Sequence, residues 1–233
     1  MTFEPSFYRA AAVCSALSAI TTLLLILLPE LYAPVEGFDG RMRRVTDPAY
    51  VVRSWVYLVH PFLVMTAALA VAMHIRRSHP AAALIGMLGF VMWGFTEAGQ
   101  QTLTVFAFDR WRTAWLAGDE LVRAHIQTSS AIYDGLWDAM YFLLLLGFAI
   151  GNAAFGIALM KGRGLTRIVG GFFLAAFALT FTIIAGELRW FTLPEPLSGW
   201  LYPLIQPLGR LLIGLELWRA AEDRVLGTSD VPR

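Results

Sequence analysis

An all-α bundle of membrane-crossing helices is the fold class this sequence predicts, and three observations predict it. The chain of 233 residues is 58% hydrophobic and 15% charged, with a mean hydropathy of +0.61; a soluble domain carries about 25% charged residues. Apolar runs long enough to cross a hydrocarbon core of about 30 Å recur along it, separated by short stretches rich in Pro, Gly and charge. Inside one of these runs, Trp93, Glu97, Gln100, Gln101 and Thr104 recur at helical spacing and form a single polar stripe. The expectation is one domain over residues 1–233, six transmembrane helices at about 10–28, 48–75, 81–106, 119–160, 168–187 and 198–218, with both termini cytoplasmic.

The first span follows Arg9. Its run is longer than a signal core, and Tyr32-Ala33 before Pro34 makes a poor cleavage site, so it reads as retained. Ala11, Ser15, Ser18 and Thr22 give it a face of small residues, which in lipid is a packing seam. Residues 29–47 read as a loop that Thr46-Asp47-Pro48 closes with an N-cap and a proline at the first helical position. In the second span Arg53, Tyr57 and His60 share a face beside Pro61. A tight basic turn at Arg76-Arg77 leads to the third span, which carries the polar stripe.

A second long connection follows, in which Trp111 and Trp115 suit the headgroup layer. Gly118-Asp119-Glu120 reads as the start of a fourth helix of about 42 residues, too long for a bilayer at 1.5 Å per residue, so it must protrude. Asp134, Asp138, Tyr141 and Asn152 then line one face of it. Lys161 to Arg167 forms a basic hairpin before the fifth span, and the sixth carries Tyr202, Gln206, Arg210 and Glu216, with Pro203 and Pro207 in its first half.

Basic residues are nearly balanced between the two sides, but the two short turns hold five of them and no acid, and short-loop bias sets orientation. That places Glu97, His60, Asp138 and Glu187 in the outer half of the membrane or at its outer surface, with Arg210 and Asn152 nearer the middle. Side chains tilt toward a helix N-terminus, so Arg210 leans outward and Glu97 inward, and the two converge. Pro203 and Pro207 also free the carbonyls of Gly199 and Pro203, which are tolerated where they line a cavity. A polar pocket open to the exoplasmic side results, with Trp93, Glu97, Gln100, Gln101, Tyr141, Tyr202, Gln206 and Arg210 as its expected lining.

Plainer readings stand beside these. Glu97 and Arg210 form a structural ion pair in one of them. In another, Asp134, Asp138 and Glu187 are solvated near the headgroups, His60 is a hydrogen-bonded packing residue, and His74 and His79 lie on the cytoplasmic surface. No metal-ligand spacing, nucleophile elbow, P-loop or dinucleotide fingerprint is present, and no metal or cofactor is expected. The net charge of +1 argues against a nucleic-acid partner. One lysine against seventeen arginines suggests a GC-rich bacterial genome, hence the inner (plasma) membrane. The single cysteine, Cys14, excludes an internal disulfide.

The second half, with FGIALMKGRGLTRIVGG (Phe155 to Gly171) and PLGRLLIGLELW (Pro207 to Trp218), resembles a bacterial family of six-helix membrane proteins of unknown function. Thr166 stands where the pattern has proline. The resemblance implies a six-helix fold and no particular activity.

Three functions fit these residues. One is binding or transport of a small lipophilic or amphiphilic molecule in the outward pocket. Another is an intramembrane enzyme, an isomerase or cyclase acting on a lipid or isoprenoid, with Glu97, Asp138 or His60 as its acid or base. A third is an accessory subunit that docks a partner. The oligomeric state is not written in the sequence.

Overall fold

Proline and small residues decide where the helices start and how closely they approach. The computed structural model describes residues 4–190 and 201–226, Tyr202 and Pro203 by backbone only. The long helices are α1 (Pro5–Leu27), α3 (Pro48–Ile75), α4 (Pro80–Leu103), α6 (Glu120–Leu159), α7 (Leu165–Glu187) and α8 (Tyr202–Val225). Pro5, Pro48 and Pro80 stand in the first turn of α1, α3 and α4, where a missing N–H costs nothing. Asp47 caps α3 by accepting from the amides of Ala49 and Tyr50, and Asp119 caps α6 by accepting from Val122.

Each long helix packs on the next, α1 on α3, α3 on α4, α4 on α6, α6 on α7 and α7 on α8, and α8 closes the ring against α1. The tightest crossing is α4 with α6. A Cβ on Gly89 would lie 2.5 Å from the amide nitrogen of Gly151, and one on Gly147 would lie 2.8 Å from the carbonyl oxygen of Gly89. This backbone contact seats Trp93 against Phe148, at 5.7 Å between rings, within an aromatic cluster that includes Phe90, Phe155 and Phe173. The α1–α8 seam is built from the expected small-residue face: Ala11, Ser15 and Ser18 are buried, and the Ser15 hydroxyl donates to the carbonyl of Arg210 at 2.7 Å.

Among the described residues there is no strand, and five helical stretches are long and apolar enough to cross a membrane: Pro5–Leu31, Pro48–Ile75, Pro80–Ala117, Glu120–Leu159 and Leu165–Glu187. Their outward faces expose large apolar side chains such as Ile20, Leu84, Leu88 and Phe95. The protein is a membrane-embedded helix bundle. α8 is not among the five, because Gln206, Arg210, Glu216 and Arg219 dilute it. Yet Leu204, Leu208, Leu211 and Leu215 make an exposed apolar stripe along its outer side. The expected start of the last span at 198 lies outside the described residues.

Both long connections differ from the sequence expectation. Residues 29–47 are not simply a loop, since they hold α2 (Gly37–Arg43) between two short 3-10 turns. The third span does not end near 106. It runs through a π turn, Thr104–Phe108, straight into α5 (Asp109–Ala117). Trp111 and Trp115 are therefore not free anchors: Trp115 is buried, packs edge-on to Phe38 and donates its indole N–H to Asp39 at 2.9 Å, while Trp111 packs on Phe108 and Tyr133. α2, α5 and the first turns of α6 form a cap around Met42, Phe108, Trp115 and Ile126, at the end opposite the two basic turns.

Candidate functional site

Below the cap, the helix ring encloses a cavity of about 570 Å³. The α4 stripe forms one wall: Trp93, Glu97, Gln100, Gln101 and Thr104 are all buried and all line it. From Thr104, eight residues of straight α-helix would carry Arg112 roughly 80° off the stripe, whereas the extra residue of the π turn brings it back to within about 20°. Arg112 accordingly lines the same cavity. Gln100 is fixed by donating to the carbonyl of Trp137 on α6 at 3.0 Å. The Thr104 hydroxyl shares a 2.9 Å hydrogen bond with the Tyr133 hydroxyl, whose ring stacks on Phe108 at 4.3 Å.

α3 supplies the facing wall with Tyr50, Arg53, Ser54, Tyr57 and His60. His60 is buried, shares a 2.7 Å hydrogen bond through Nδ1 with the Thr21 hydroxyl of α1, and stands edge-on to Trp93. This is the packing histidine of the plainer reading, and it also faces the cavity. From α8, Gln206 and Arg210 close the floor. The Arg210 guanidinium lies 6.0 Å from the centre of the Trp93 ring, and Glu97 lines the same cavity. Gln206 Nε2 is buried with no hydrogen-bond partner among the described residues.

A second, narrower slot of about 40 Å³ shares Phe148, Gln206 and Arg210 with the main cavity. Its remaining walls are largely apolar, from Val64 and Val71 of α3 to Phe173 of α7 and Ile213 of α8. The site thus grades from a polar chamber to an apolar crevice. At the other extreme, Arg41 and Asp134 form a bidentate pair at the rim and are 39% and 42% exposed, so the chamber communicates with the surroundings at the cap end.

The structure brings together Trp93, Glu97, Gln100, Gln101, Tyr141, Gln206, Arg210 and His60. It does not bring Asp138: that side chain is exposed on α6 and does not line the cavity, in keeping with the solvated reading. The side chain of Tyr202 lies outside the described residues. Asp134 is not simply solvated, because it holds Arg41. His74 is not a free surface residue either: it is half-buried, with Nε2 3.9 Å from a Glu216 carboxylate that also accepts from Thr166 and Arg219. Among the described residues no three His, Cys, Asp or Glu side chains converge as a metal site would require.

Sequence reasoning missed Arg41, Arg112, Tyr50, Tyr133 and Trp137 as cavity residues. Arg41 and Arg112 were hidden by reading their segments as loops. Arg53 and Tyr57 share the His60 face in the sequence, and the structure adds both to the pocket lining. No protein-family model, curated protein or solved structure matches the chain.

Proposed function

We propose that this protein crosses the plasma membrane six times with both termini cytoplasmic, and that its cavity faces the exoplasmic side and binds or passes on a small amphiphile. The observation that carries this reading is the graded cavity itself. Its volume of about 570 Å³ falls in the range of small-molecule sites, its polar groups converge from seven helices, and an apolar crevice continues from its floor. The exposed leucine stripe of α8 supports the sixth crossing, and the basic excess of the two short turns supports the orientation. Kinship of the second half with the six-helix family that it resembles, and a bacterial source, belong to the same proposal.

Native mass spectrometry of the protein purified in a mild detergent tests it. The expected result is a bound small molecule that leaves on unfolding and is absent from Ser54→Phe, which fills the chamber. A clean apo mass from gently extracted protein, with no added amphiphile taken up, contradicts it.

A second reading, an acid–base enzyme acting on a lipid, draws support from Glu97 and His60 lining one chamber. Glu97→Gln separates the two: it abolishes turnover if Glu97 is the acid, while a binding site keeps its ligand with changed affinity.

A further inference from the structure

Among the described residues, four arginines line the cavity, Arg41, Arg53, Arg112 and Arg210, against two carboxylates, Glu97 and Asp134. Arg41 is held by Asp134, Arg112 by Asp109 at 2.7 Å, and Arg210 shares the cavity with the Glu97 carboxyl. Arg53 is different. Its Nε donates to the carbonyl of Leu25 at 3.2 Å, one terminal nitrogen to the Tyr32 hydroxyl at 3.4 Å and the other to the Tyr57 hydroxyl at 3.3 Å, and all three acceptors are neutral. Among the described residues no carboxylate lies within ion-pairing distance of it.

The reason Arg53 sits there is local. Pro29 has no N–H to offer the Leu25 carbonyl four residues earlier, so the end of α1 carries an acceptor without an intrahelical donor, and Arg53 supplies one. The guanidinium is further held 4.8 Å from the centre of the Tyr57 ring. It is thus a fixed cation whose charge no described carboxylate neutralises. Tyr57 accepts from Arg53 and keeps its own O–H to give, so the two offer a charge and a donor to one oxyanion.

We propose that Arg53 and Tyr57 receive the anionic head group, a phosphate, phosphonate or carboxylate, of the amphiphile that the cavity binds. This rests on the binding reading above and adds the sign and place of the head. Arg53 is eleven residues before Val64, a wall residue of the apolar crevice, or roughly 16 Å along α3. A head at Arg53 therefore lets a medium-length apolar chain reach the crevice past Gln206 and Arg210.

The test uses the full chain in dodecyl maltoside. It is titrated with n-dodecyl phosphate, with a neutral dodecyl glucoside of the same chain length, and with inorganic phosphate alone. Quenching of the cavity tryptophans Trp93 and Trp137 is the readout, and native mass spectrometry checks stoichiometry. The expected result is dodecyl phosphate binding tighter than the neutral amphiphile by about tenfold or more, with that preference lost in Arg53→Gln and largely kept in Arg53→Lys. Competition by inorganic phosphate alone assigns the anion to a free solute, and its failure assigns it to a lipid head group; both support the charge assignment. Equal binding of the charged and neutral amphiphiles overturns the anionic head group and leaves the cavity reading standing. Binding of neither overturns both. Should Arg53→Gln fail to fold for want of the Leu25 cap, Tyr57→Phe, which removes only the proposed hydroxyl donor, carries the test: a reduced preference supports the assignment and an unchanged one overturns it.

Discussion

Glu97 is buried, ionisable and in a membrane helix, so its cost must be offset by what surrounds it. Arg210 supplies opposite charge in the same cavity. A double-mutant cycle of Glu97→Gln and Arg210→Gln, read by thermal shift in detergent, should show a coupling of about 0.5 kcal/mol or more, the double mutant being milder than the sum. Additive losses mean that each charge answers to other groups. The two aspartates of α6 differ in the same way. Asp138→Asn, on an exposed side chain, should stay within about 0.5 kcal/mol of wild type. Asp134→Asn breaks the Arg41 pair and should lose more, though under about 1 kcal/mol because both partners are about two-fifths exposed. If Asp138→Asn is the more damaging, the assignment of the two faces of α6 is reversed.

At the scale of elements, α4 and α6 meet backbone to backbone. Gly89→Ala forces a Cβ to 2.5 Å from the Gly151 nitrogen, with no side chain that can move aside, and should abolish or severely weaken folding. Gly135→Ala, on the same α6 with nothing within 4 Å of the new methyl, should be neutral or stabilising by up to about 1 kcal/mol. Equal melting shifts for the two would refute the crossing.

The cap responds to acid. Hydrogen bonds from Trp115 and Arg43 hold the Asp39 carboxyl below the usual carboxylate range, and the amides of Ala33, Ala49 and Tyr50 do the same for Asp47. A carboxylate held low in the folded state contributes stability that is present above its unfolded pKa, about 3.8, and is lost as pH falls through the lower folded value. Tryptophan fluorescence should therefore report cap loosening only below about pH 4, with Asp47→Asn weaker already at neutral pH and flatter in acid. A transition at pH 5 to 7 would point to a different group.

These elements also show what was legible in the chain. The N-caps at Asp47 and Asp119 and the polar stripe from Trp93 to Thr104 are local patterns, and the sequence displays them directly. The π turn leaves no such pattern. It reads as the end of a helix because a 3.6-residue period breaks at Thr104 and resumes out of phase, so Arg112 and Trp115 looked like loop residues. Asp138 shares a sequence face with Asp134 and Tyr141 but not their cavity for a related reason: depth along a helix can be counted from its turns, but which face looks inward depends on the partner helix. That Pro29 strips Leu25 of its donor is legible in the sequence, but that Arg53 supplies one is a contact across 28 residues that only the fold brings about.

The whole molecule turns on one arrangement, a polar chamber within a helix ring that opens at the end opposite the basic turns. Ser54 is a wall residue whose hydroxyl only bonds back to the Tyr50 carbonyl, so Ser54→Cys in a Cys14→Ala background places a thiol in the chamber at little structural cost. Intact cells are treated with a small, charged, membrane-impermeant methanethiosulfonate. The arrangement predicts modification from outside, slowed by a bound amphiphile; modification only after the cells are opened from the cytoplasmic side, or none in the folded protein, contradicts it.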